Sequence, residues 1–186
     1  MNDMSTFRSS QFTLPMSIVG LVAIALLSVR TEVPTPFFGH AVMVVGLVPL
    51  VVIDLETRRL PRELSYPVAG VSAALLIGGE LIGDGDLATV AAVGGGAALF
   101  VVLLLGLAVA SRGGMGSGDV RLAPLLGANL GYHGVLDVPV ALFLAAAIAL
   151  VAAAPSLLRG NSTLKSTVPF GPFLALGTII TLLVFS

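Results

Sequence analysis

Two carboxylates stand where an apolar chain has least reason to place them. Asp54 closes the run Val51-Val52-Ile53-Asp54-Leu55-Glu56, and Asp119 follows three small residues in Gly116-Ser117-Gly118-Asp119-Val120-Arg121. A charged group at a membrane boundary is costly, so each one beside an apolar segment is a functional candidate. Two carboxylates at one depth suit aspartic hydrolysis: one ionised group activates water, and one protonated group polarises the scissile carbonyl. Each Asp also has a plainer reading. Asp119 would serve as a helix cap, because Gly-Ser-Gly-Asp before an apolar run is a helix-start signal. Asp54 would be a solvated loop carboxylate, although it ends a helix, where the macrodipole disfavours an anion. The same dipole argument expects Asp119 to be the ionised base and Asp54 to carry the shared proton.

Other chemistries fare worse. The chain has no Cys, which excludes disulfides, a thiol nucleophile and Cys-ligated zinc or iron–sulfur clusters. His40 and His133 have no i,i+4 partner for zinc, and no G-x-S-x-G is present. No metal site and no cofactor are therefore expected. Gly83-Asp84-Gly85-Asp86 faintly suggests a calcium loop, but the remaining ligand positions are missing, and a turn with a helix cap explains it better. Asn161-Ser162-Thr163 has the form of a glycosylation sequon on what the topology below makes the cytoplasmic side.

The elements that must position the Asp pair are membrane helices. Hydrophobic residues make up 56% of the 186, charged residues 10%, and the net charge is −1. A soluble domain carries about 25% charged residues, and nucleic-acid binding needs a basic face that is absent here. Spans of roughly 20 apolar residues are expected near 14–29, 36–53, 67–82, 87–110, 122–136, 138–158 and 168–185. The sequence thus predicts an all-α polytopic bundle of about seven spans, at least six, forming one domain over 1–186. The first run is read as a retained span, since no small-x-small cleavage site precedes Arg30. Pro49 is expected to kink the second span, and Gly94-Gly95-Gly96 to let two helices approach closely.

With the N-terminus in the cytoplasm, Arg8, Arg58, Arg59, Arg62, Arg112, Arg121, Arg159 and Lys165 fall inside and only Arg30 outside. Eight against one is a strong positive-inside bias, and it places both Asp residues at the cytoplasmic boundary.

Three segments then resemble the type IV prepilin peptidases. Asp54-Leu-Glu-Thr-Arg-Arg-Leu-Pro61 is similar to their D-x(5)-[IL]-P segment, and Gly116-Ser-Gly-Asp-Val-Arg-Leu122 to G-x-G-D-[VI]-K-[LM]. Pro169-Phe-Gly-Pro-Phe-Leu-Ala-Leu-Gly177 is similar to P-F-[GA]-P-[FY]-L-x-x-G. The resemblance covers about residues 36–185. It implies a GxGD-type aspartic endopeptidase of the cell membrane that cuts class III signal peptides from prepilins or pseudopilins, with Asp54 and Asp119 as the catalytic pair. Gly116, Gly118, Arg121, Pro61, Pro169, Gly171 and Pro172 would support the site, and Glu56 and Glu63 could attract a basic leader. The match is not complete. Arg62 stands where many members have Asn or Asp, and Arg121 replaces the usual Lys, which alters donor geometry. The absence of Cys argues for the short form, with peptidase activity only and neither S-adenosylmethionine nor zinc. The expected partners are the prepilin and membrane lipid.

Three rival readings make different demands. A proton- or cation-coupled transporter needs carboxylates near the midplane. A presenilin-like protease carries its first Asp deep in a span after Tyr, whereas Ile53 precedes Asp54 here. A non-catalytic assembly protein would use the same polar residues as caps and packing.

Overall fold

The computed structural model describes residues 34–57, 60–83, 86–111, 116–158 and 170–185. They form six helices: α1 Pro34–Thr57, α2 Arg62–Ile82, α3 Leu87–Ala110, α4 Ser117–His133, α5 Asp137–Leu158 and α6 Gly171–Val184. An apolar chain in lipid must satisfy its backbone hydrogen bonds internally, and a helix does so within one segment.

About seven full-length spans are not found among the described residues. The expected span at 14–29 lies outside the described residues. Four stretches are long and apolar enough to cross a membrane: Pro36–Leu55, Arg62–Ile82, Leu87–Ala110 and Asp137–Pro155. The helices α4 and α6 are shorter, at 17 and 14 residues. The chain is thus a multi-pass helical membrane protein with four full-length candidate spans among the described residues. Two boundaries also move. The helix expected from 67 begins at Arg62 and carries Pro67 inside it. The one expected over 122–136 runs from Ser117 to His133 and ends at Gly134, its C-cap in extended backbone. Pro49 likewise lies within an α1 that continues to Thr57.

The central element is α4, which packs against each of the other five helices. Its Leu122, Leu125, Leu126, Asn129 and Leu130 are fully buried, whereas α3 and α5 leave Val102, Val109, Phe143 and Val151 on the outside. Apolar attraction between helices is weak in lipid, so close backbone packing must hold α4 in place. Small residues supply it. A Cβ on Gly96 of α3 would come within 2.6 Å of the Gly131 Cα on α4, and one on Gly127 within 2.9 Å of the Ala97 Cα. Of the Gly94-Gly95-Gly96 run only Gly96 makes this approach, since the Cβ position of Gly94 faces open space. Gly177 of α6 lies equally close to α5, where a Cβ would stand 2.8 Å from the Ala145 nitrogen.

Asp86 behaves as the capping reading expected. Its carboxylate accepts from the Ala88 and Thr89 backbone N–H groups at 3.0 and 3.2 Å, and from the Thr89 hydroxyl at 2.7 Å.

Candidate active site

Three helix ends meet at one end of the bundle, and each contributes one group. The last turns of α1 carry Asp54, the first turn of α4 carries Asp119, and Gly171 opens α6. Both carboxylates are buried, each only 4% exposed.

Asp119 is not the N-cap of α4. That position is Gly116, which has no side chain to cap with, and Asp119 stands three residues further in. From there it reaches back to accept the Gly116 backbone N–H, half of a capping box. A second backbone donor comes from α6, where the Gly171 N–H also bonds to Asp119. The first N–H groups of a helix have no partner inside it, so α6 offers this one without loss. Pro172 follows in the first turn, where its missing N–H costs nothing.

Gly171 shows how near the two carboxylates are. A Cβ at this residue would lie 2.7 Å from Asp54 Oδ2 and 3.4 Å from Asp119 Oδ1. Both oxygens therefore border one point, and they stand no more than about 6 Å apart, within the span of a single bridging water. Asp54 Oδ2 has no hydrogen-bond partner among the described residues. A buried carboxylate oxygen without a donor is destabilising on its own, so its retention points to a use.

The connection after α1 is tied to α4. The Arg121 guanidinium donates to the Leu60 carbonyl, and Leu60 is fully buried. The Cβ position of Gly118 is 3.5 Å from Asp54 Oδ1, the Leu60 nitrogen and Leu60 Cδ1. A methyl there would only touch, so the space excludes larger side chains rather than alanine. Pro61 N-caps α2 in extended backbone, and the buried Ser65 hydroxyl donates to its carbonyl at 3.0 Å. Glu63 is exposed in the first turn of α2. The Glu56 side chain and Pro169 lie outside the described residues.

At Asp119 burial works against the helix dipole. Burial first, and then the charge of Asp54, push its carboxyl up to about 7, against the opposing Gly171 and Gly116 N–H donors. Desolvation of the whole carboxyl outweighs two helix-end donors. Asp119 thus holds a proton well above the usual carboxylate range. Its contribution to stability is fully present below about 4 and is lost as pH rises through about 7.

Sequence reasoning left His40 and His133 unused. The structure brings them together at the other end of the bundle, with Nε2 atoms 3.0 Å apart.

Residues 41–154 match the model of the type IV leader peptidase family. The chain belongs to that family. Its relatives include prepilin leader peptidase/N-methyltransferases. The protein of that name from Aeromonas salmonicida (strain A449) is 32% identical over 139 residues, covering 74% of this chain and 46% of the relative. The Burkholderia pseudomallei (strain K96243) protein is 32% identical over 138 residues, covering 74% and 43%. The Dichelobacter nodosus protein is 30% identical over 170 residues, covering 86% and 56%. The chain thus spans about half the length of the curated relatives it matches. No solved structure matches it.

Proposed function

We propose that this chain is a membrane aspartic endopeptidase that removes the leader peptide from a type IV prepilin or pseudopilin. Family membership supports peptidase chemistry, and one observation carries the mechanism: Asp54 Oδ2 and Asp119 Oδ1 face a common point beside Gly171. A water held between the two oxygens would lose a proton to the ionised member of the pair while the protonated member polarises the scissile carbonyl. Proton return to the leaving amine would complete the cycle, with the two carboxyls exchanging roles. The Gly171 and Gly116 N–H donors hold Asp119, and Arg121 holds the Leu60 segment against α4. The relatives' second named activity, N-methyl transfer, forms no part of this proposal.

The positive-inside bias supports an inner-membrane, multi-pass orientation with the Asp end at the cytoplasmic face. In that orientation Glu63 is exposed on the side where a basic leader would arrive. The transporter reading loses ground, because both Asp residues meet at one bundle end rather than along a path.

Co-expression with a prepilin in cells lacking their own peptidase is expected to yield the trimmed pilin, read by mass spectrometry of its new N-terminus. Only full-length prepilin, with the peptidase present in the membrane, would reject the proposal.

The pH profile follows from the shared proton. A dyad needs one proton, and the pair loses it as pH rises through about 7, where Asp119 titrates. On a logarithmic plot kcat/KM should fall tenfold per pH unit on the alkaline side, beginning near 7. Measured on proteoliposomes, a flat profile to about pH 9 would contradict a singly protonated working state.

A further inference from the structure

The helices that bring Asp54 to Asp119 are joined again at their other ends. His40 lies 14 residues before Asp54 on α1, and His133 lies 14 residues after Asp119 on α4. At 1.5 Å per residue each step is about 21 Å along its helix. Equal steps on two antiparallel helices mean that when one pair meets, the other meets too.

The polar chain at the His end leaves no choice of partners. Asn129 Nδ2 donates to the Leu125 carbonyl at 2.8 Å and to Ser72 Oγ at 2.9 Å. Ser72 Oγ donates to the Gly39 carbonyl at 2.8 Å. A carbonyl only accepts, so the Asn129 amide is oriented, and its Oδ1 must accept from His40 Nδ1–H at 2.8 Å. The neutral His40 ring then presents a bare Nε2, which accepts from His133 Nε2–H at 3.0 Å. His40, Ser72 and Asn129 are all fully buried. The chain binds α1, α2 and α4 together far from the carboxylates.

Such a network specifies register. The buried side chains between it and the carboxylates along α1 and α4, Met43, Leu47, Leu50, Leu122 and Leu126, are apolar and tolerate more than one packing. Shifting α1 by one residue against α4 would strand the His40 and Asn129 groups unpaired in an apolar interior.

We propose that His40, Asn129 and His133 are positioning residues, which set the register of α1 against α4 and so align Asp54 with Asp119. This rests on the reading of the Asp pair as a dyad, and it adds a distant determinant of that pair's geometry. Neither His touches the reacting groups.

The absence of native Cys makes a clean test. In the full-length chain in membranes, Asp54→Cys with Asp119→Cys reports the alignment by its rate of oxidative cross-linking, which needs no catalysis. Adding His133→Leu, which removes the donor at the end of α4 without opening a cavity, should slow cross-linking at least about tenfold. His133→Gln keeps an N–H donor and should restore the rate to within about twofold. Tyr132→Phe removes only the hydroxyl that bonds Glu80 at 3.0 Å and should change nothing.

In the chain with both Asp residues intact, His133→Leu should lower kcat about 100-fold with little change in KM. Unchanged cross-linking in His133→Leu would overturn the proposal. So would failure of His133→Gln to restore it, or equal slowing by Tyr132→Phe, which would indicate general loosening. Retained cleavage in Asp54→Asn would instead remove the dyad and leave the cross-linking result standing.

Discussion

Asp119→Asn should abolish leader cleavage, by at least about 10⁴-fold, while the chain still inserts and folds. The amide is close in shape, and its oxygen can still accept the Gly171 and Gly116 N–H bonds that hold Asp119. What it cannot do is carry the shared proton or become the base. Because the carboxyl is only 4% exposed, replacing it by a neutral group also removes a desolvation cost, so stability should not fall. Asp54→Asn should be as severe for the same reason. The double variant should be no worse than either single one, since groups acting as a unit are not additive. Processing of a prepilin in cells, beside membrane levels of each variant, checks this. Measurable trimming by either single variant would end the dyad reading.

Gly171→Ala should cost about 100-fold in kcat with the fold retained. The added methyl would stand 2.7 Å from Asp54 Oδ2, closer than van der Waals contact allows, and 3.4 Å from Asp119 Oδ1. The carboxylate of Asp54 ends a rotatable side chain, so it can swing away without disturbing the helices. That escape is why stability survives, and it removes the oxygen from the point it shares with Asp119. A displacement of about 1 Å suffices for such a loss. The Gly171 N–H is unchanged and should still bond Asp119, so the alkaline limb of the pH profile should persist in the residual activity. Wild-type kcat in Gly171→Ala would show that the two oxygens do not work at that point.

Much of this was legible in the residues themselves. Unbroken apolar runs and a charge content of 10% point to membrane helices, because the other structure that satisfies a backbone in lipid, a closed barrel, needs a period-2 alternation that these runs lack. Asp54 and Asp119 stood out for the same reason: ionisable groups are rare where burial penalises them. The cap at Asp86 could be read because capping is local, requiring only the next three residues.

Tertiary structure decided whatever depends on which helix neighbours which. Asn129 and His133 are polar interruptions in the apolar run of α4, yet Asn129 lies fully buried in a polar chain that His133 closes at the exposed end of the helix. Their partners His40 and Ser72 are 89 and 57 residues from Asn129, and the matching 14-residue steps acquire meaning only when α1 and α4 are antiparallel neighbours. The electrostatics of Asp119 depend on tertiary structure for a similar reason. A helix dipole can be inferred from position along the chain. The desolvation of Asp119, and the Asp54 charge across from it, arise only when α1, α4 and α6 bring their ends together.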